Sequence, residues 1–90
     1  MRDTPYATEI VSANITFPDG SEGRIERLFL KEIKEQGIRF SWWKKNKKNN
    51  WSMSPRPLDF TENQLLALLK SALQQGVFSK DFLASLKEML

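Results

Sequence analysis

Thirteen residues, Ser41 to Met53 (SWWKKNKKNNWSM), hold all three tryptophans of the chain and four of its lysines. Aromatic faces stack bases and lysines meet phosphates, so this combination suits the binding of single-stranded nucleic acid. Between Gln36 and Leu58 the charged residues are Arg39, Lys44, Lys45, Lys47, Lys48 and Arg56, with no acid among them. The whole chain carries a net charge of only +3, so the remainder is acidic on balance. Such asymmetry speaks about partners rather than about fold. The competing reading of the same residues is structural: tryptophans in a core, lysines keeping a hairpin tip soluble.

Other chemistry has little to work with. The 90 residues include no cysteine and no histidine. That removes disulfides, zinc sites of the Cys/His type, and thiol or imidazole catalysis. Ser52 and Ser54 have no histidine to activate them. Glu9, Glu26, Glu32 and Glu35 show no spacing that pairs them for acid–base work, and no glycine loop is built for phosphates. We therefore expect no enzyme, no cofactor and no metal. Arg56, stiffened between Pro55 and Pro57, is set to present its guanidinium to a phosphate or carboxylate, or simply to solvent.

Alternation of apolar and polar residues shows what must position this hairpin. Ile38, Phe40 and Trp42 fall on one side of a strand, and Arg39, Ser41, Trp43 and Lys45 on the other. A loop of two or four residues would pair Lys44 with Trp51 and Trp42 with Met53. Ile38, Phe40, Trp42, Trp51 and Met53 would then be core, leaving Arg39, Trp43 and Lys45 on the outer face, with Lys47 and Lys48 at the tip. Parity decides this, because a slip of one residue exchanges the two faces.

The flanking segments complete a small α+β domain. Ala7–Phe17 reads as a strand and Pro18-Asp19-Gly20 as its turn. Ile25–Lys34 reads as a second strand turning back at Gln36-Gly37. That turn sets Ile33 beside Phe40 and Leu30 beside Trp43. Helical spacing of Ile25, Leu28, Phe29 and Ile33 supports a helix there instead. Ser54–Leu58 is an extended exit. Thr61-Glu62-Asn63-Gln64 is a capping box, Gly76 a C-terminal stop, and Ser79 a second N-cap. The expected architecture is a single domain over residues 1–90. Residues 1–6 are loose and 7–58 form an antiparallel meander of three to four strands. Helices at 61–75 and 79–90 pack on one face.

The leucines of the first helix make a stripe wider than a single surface helix needs, and Leu66, Leu73, Phe82, Met89 and Leu90 form a surplus. A homodimer or a protein partner would use it. No apolar run reaches the roughly 20 residues of a membrane span. The N-terminal stretch lacks the layout of a signal peptide, so the cytoplasm is the default location.

The run from IRFSWWKK through WSMSPRPLDFTENQLLALL resembles, in layout, the positive-cofactor-four-like transcriptional coactivator fold. The shared order is strand, basic loop, extended exit, and an apolar lead into a Thr-capped helix, over about half of the chain. Proteins of that family bind single-stranded DNA as dimers across a curved sheet. The resemblance implies DNA contact by Arg39, Trp43, Lys45, Lys47 and Lys48. The SPRP exit and the helix after Gly76 depart from the family pattern.

Overall fold

The computed structural model describes residues 2–90. Four strands, β1 (Ala7–Thr16), β2 (Glu22–Leu30), β3 (Glu35–Lys45) and β4 (Trp51–Met53), precede two helices, α1 (Glu62–Gln75) and α2 (Lys80–Met89). The strands form one antiparallel sheet in sequence order, and the domain is α+β as expected. The segment open to two readings is a strand. Tertiary pairing between two neighbours overrides its helical spacing, as it does wherever a short apolar run can bury one face either way.

Each connection has a local cause. In the first turn Gly20 adopts φ 87° and donates its N–H to the Phe17 carbonyl, while Asp19 accepts from the Ser21 amide and hydroxyl. The second turn falls at residues 31–34, not at Gln36-Gly37, and Lys34 takes the left-handed conformation at φ 55°. Gln36 and Gly37 therefore lie inside β3, opposite Phe29 and Leu28. This shift places Ile25, not Ile33, beside Phe40, and pairs Leu30 with Glu35 rather than Trp43. Gly37 leaves room for the Leu30 side chain, which a Cβ would meet at 2.7 Å.

α1 is capped as its sequence requires. Thr61 Oγ1 accepts from the Gln64 amide and Gln64 Oε1 accepts from the Thr61 amide. Gly76, at φ 72°, ends the helix, and Val77 N–H returns to the Ala72 carbonyl. α1 lies across β1 and β2 alone. The core is accordingly small: Ala13 and Ile25 from the sheet, Leu68 and Ala72 from α1, and Val77 beyond it. Ile38 and Phe40 lie on the helix side of the sheet as alternation demands, yet they stay 42% and 45% exposed because no helix reaches β3. Phe40 faces the Phe60 ring of the exit, with centroids 6.1 Å apart. The second helix, α2, touches no strand and buries none of its residues; it borders α1 across an open apolar groove.

Residues 2–6 fold back on the sheet, with Glu9 N–H donating to the Arg2 carbonyl and Lys31 Nζ donating to the Thr4 carbonyl. Met1, the first of the residues expected to be loose, lies outside the described residues.

Candidate nucleic-acid interface

The loop of the basic hairpin has five residues, Asn46–Asn50, rather than two or four. Asn46 Oδ1 accepts from the amides of Lys48 and Asn50, at 2.9 and 3.0 Å. Asn49 then takes φ 65°, a conformation that asparagine tolerates better than most residues. An odd loop slips the register by one. Trp43 pairs with Met53 and Lys45 with Trp51. Trp51 and Met53 thus leave the helix-side face and join Trp43 on the opposite one. Their expected place in the core is corrected on the same ground: they are 37% and 42% exposed.

Trp43, expected outside, is the buried tryptophan at 7% exposure. Two guanidinium groups stand over its ring, Arg24 at 4.2 Å and Arg2 at 4.5 Å from the centroid. Its Nε1 donates to Ser41 Oγ at 2.8 Å, and that hydroxyl donates to Glu26 Oε1 at 2.6 Å. Burial and cation–π contact with two arginines leave this ring little surface on which a base could stack.

Glu26 is the centre of this face. Its side chain is fully buried and takes ion pairs from Arg2 at 3.2 Å and Arg39 at 3.3 Å. Burial pushes its carboxyl up. The Ser41 hydroxyl, Glu9 and the two guanidiniums more than offset that, holding it below the ordinary glutamate value. Glu9 pays the complementary cost: burial first, and then its place beside Glu26, raise its carboxyl. No buried side-chain polar atom among the described residues lacks a partner. Arg39 is thus committed to Glu26 and is not a free cation. A carboxylate that organises a buried arginine–tryptophan face carries no local sequence mark, because its partners lie 24, 15 and 13 positions away.

The remaining predicted residues stay available. Lys45, Lys47, Lys48 and Arg56 are exposed, as is Lys44, and none of them forms an ion pair among the described residues. Lys45 Nζ stands 5.2 Å from the centre of the Trp51 ring, and Lys44 Nζ stands 3.9 Å from that of Trp42. The hairpin therefore carries four exposed lysines and one half-open tryptophan, Trp51, over which Lys45 stands and whose ring centre lies 5.7 Å from the Arg24 guanidinium. Trp51 was missed because even-loop parity placed it inside. A shallow cleft between this hairpin and the Asp19-Gly20 turn is lined by Lys44, Lys45, Trp51 and Glu22, so its charge is mixed.

The described residues hold no group of three or more acidic, cysteine or histidine side chains suited to a metal ion, and no helix long and apolar enough to cross a membrane. Comparison with protein-family models, characterised proteins and solved structures found no match.

Proposed function

We propose that this chain is a non-catalytic module that binds single-stranded DNA or RNA through the β3–β4 hairpin. One observation carries the reading: Lys44, Lys45, Lys47, Lys48 and Arg56 are exposed and unpaired among the described residues, and Lys45 stands beside the half-exposed ring of Trp51. Phosphates would meet the cations and a base would stack on Trp51. Trp43 and Arg39 serve in the scaffold of this reading, since each already has its partners.

Titration with a short oligothymidine, followed by tryptophan fluorescence, tests it. We expect quenching that Trp51→Ala removes and Trp43→Phe does not. If all five cations meet phosphates, affinity falls about a hundredfold between roughly 50 and 200 mM salt. An absence of binding at low salt would sink the reading.

A second reading rests on the helices. Leu66, Leu73, Phe82 and Met89 are 67%, 54%, 48% and 80% exposed, beside the apolar groove between α1 and α2. Such surfaces suit a homodimer or protein partner. A charge at Leu73 or Leu86 would then break the association in a sedimentation experiment.

A further inference from the structure

β4 pairs with only part of β3. It covers residues Trp43 to Lys45, and the Ser54 amide donates to the Trp42 carbonyl just beyond it. That bond shows that the backbone groups of Trp42 point away from β2. With the period of two along a strand, so do those of Gln36, Ile38 and Phe40. Among the described residues, none of these three has a backbone partner on the outer side.

The two edges of the sheet are guarded unequally. β1 carries a bulge at Ile10, between Glu9 and Val11, and the returning N-terminal residues cover its start. The free length of β3 has no bulge, proline or lysine. Beside it Ile38 and Phe40 are half-exposed and apolar. A straight, apolar, unpaired edge is a template for another strand.

We infer that two copies of this chain pair antiparallel along this edge, with Ile38 opposite Ile38 of the second copy, to form a continuous eight-stranded sheet. The register is self-complementary. Gln36 of each copy faces Phe40 of the other, so the three outward residues per chain exchange about six hydrogen bonds. On the helix side the two isoleucines meet at the centre, with a phenylalanine to either side. On the opposite face Arg39 stands across from glycine, Gly37 of the second copy, rather than from another cation. Its two diagonal neighbours are Glu35 of that copy, an exposed carboxylate with no ion pair among the described residues, and Arg39 of that copy, whose guanidinium is held by its own Glu26. Both ends also fit. Trp42, where the β4 side of the sheet takes over, lies opposite Lys34 of the second copy, where that strand has turned away at φ 55°. A two-fold axis closes the assembly and leaves no edge of β3 free to propagate.

This pairing uses neither the helix groove nor the basic hairpin, so it stands apart from the readings above. Sedimentation without nucleic acid, at tens of micromolar, tests it. The expected result is a dimer. Ile38→Lys and Ile38→Glu each place like charges opposite one another and weaken it about tenfold or more, while their equimolar mixture restores it. Leu73→Glu leaves it intact. Since the chain has no cysteine, Ile38→Cys offers a register check: it crosslinks on oxidation, whereas Glu35→Cys, set about 20 Å from its own copy, does not. A monomeric natural chain, single variants that still dimerise, a mixture that fails to pair, crosslinking by Glu35→Cys in place of Ile38→Cys, or loss of the dimer in Leu73→Glu would each overturn the inference. Circular dichroism of Ile38→Lys shows whether the fold survives, and the charge-matched mixture separates loss of pairing from loss of fold.

Discussion

Glu26 and Glu9 sit side by side on a face shared with two arginines, and their proton affinities move in opposite directions. Glu26 is lowered, so its stabilising contribution is present above the ordinary glutamate value of 4.5 and is lost as pH falls through its lowered one. Glu9 is raised, so its contribution is intact below 4.5 and is lost as pH rises through its raised value. Glu9→Gln should therefore stabilise the protein at neutral pH, and the gain should vanish on acidification below 4.5, where Glu9 is protonated whether folded or not. Denaturant midpoints at the two pH values measure this; a destabilised variant at neutral pH would refute it. Glu26→Gln should act the other way, losing about 2 kcal/mol at neutral pH. That is less than the roughly 3–5 kcal/mol for breaking a wholly buried pair, because Arg2 and Arg39 keep 29% and 33% of their side chains in solvent. None of this was legible from the residues alone. Alternation along β3 correctly put Arg39, Ser41 and Trp43 on one face, but it could not tell that residues 2–6 fold back there and bring Arg2 over the indole.

Elements defined by short-range chemistry were legible, and those defined by a count of loop residues were not. The capping box at Thr61, the stop at Gly76 and the Pro18-Asp19-Gly20 turn appear where their side chains and φ preferences require them. The β3–β4 loop turned on a different matter. Three asparagines and two lysines are compatible with several lengths, and the hydrogen bonds of Asn46 select five residues. That single residue of register moved Trp51 and Met53 across the sheet and reassigned the stacking candidate. Asn46→Ala should remove both side-chain acceptor bonds and fray β4, which is held to β3 over only three pairs. Expected signs are a red shift of the Trp51 emission and fast amide exchange at Ser52 and Ser54, with α1 unaffected. Thr61→Ala supplies the contrast, costing about 1 kcal/mol of global stability through the cap while leaving the hairpin as it was. Unchanged exchange at Ser52 in Asn46→Ala would mean that pairing with β3, and not the loop, fixes the hairpin.

On the scale of the whole molecule, the surplus of apolar residues is explained by unequal coverage. A radius of gyration of 14.0 Å exceeds the roughly 12 Å of a compact 90-residue domain, and the longest extent is 45 Å. One helix over two strands leaves β3 half-bare, and α2 stands off the sheet with Phe82, Met89 and Leu90 in solvent. The width of the leucine stripe announced that something would remain uncovered, but which strands α1 would choose depends on Ala13 and Ile25 packing against Leu68 and Ala72, a contact no spacing encodes. Small Ala13 lets the helix approach β1; at the equivalent level β3 presents the bulk of Phe40, already flanked by Phe60. The division has a consequence for folding. Val77 is wholly buried and its carbonyl accepts from Arg27 Nε at 2.7 Å, so the segment just after α1 belongs to the core, whereas α2 contributes mainly the ring contact of Phe82 with Phe78 at 5.1 Å. A chain stopped after Phe78 should keep a cooperative unfolding transition and the near-ultraviolet signal of Trp43, with a stability loss of at most about 2 kcal/mol, the scale of one aromatic side chain left unburied. Removing Val77 as well should abolish cooperativity, since it opens the centre of the core and strands Arg27 without its carbonyl. If the shorter cut at Phe78 already abolished it, α2 would be part of the folding unit and its exposed leucines would need a structural explanation rather than a partner.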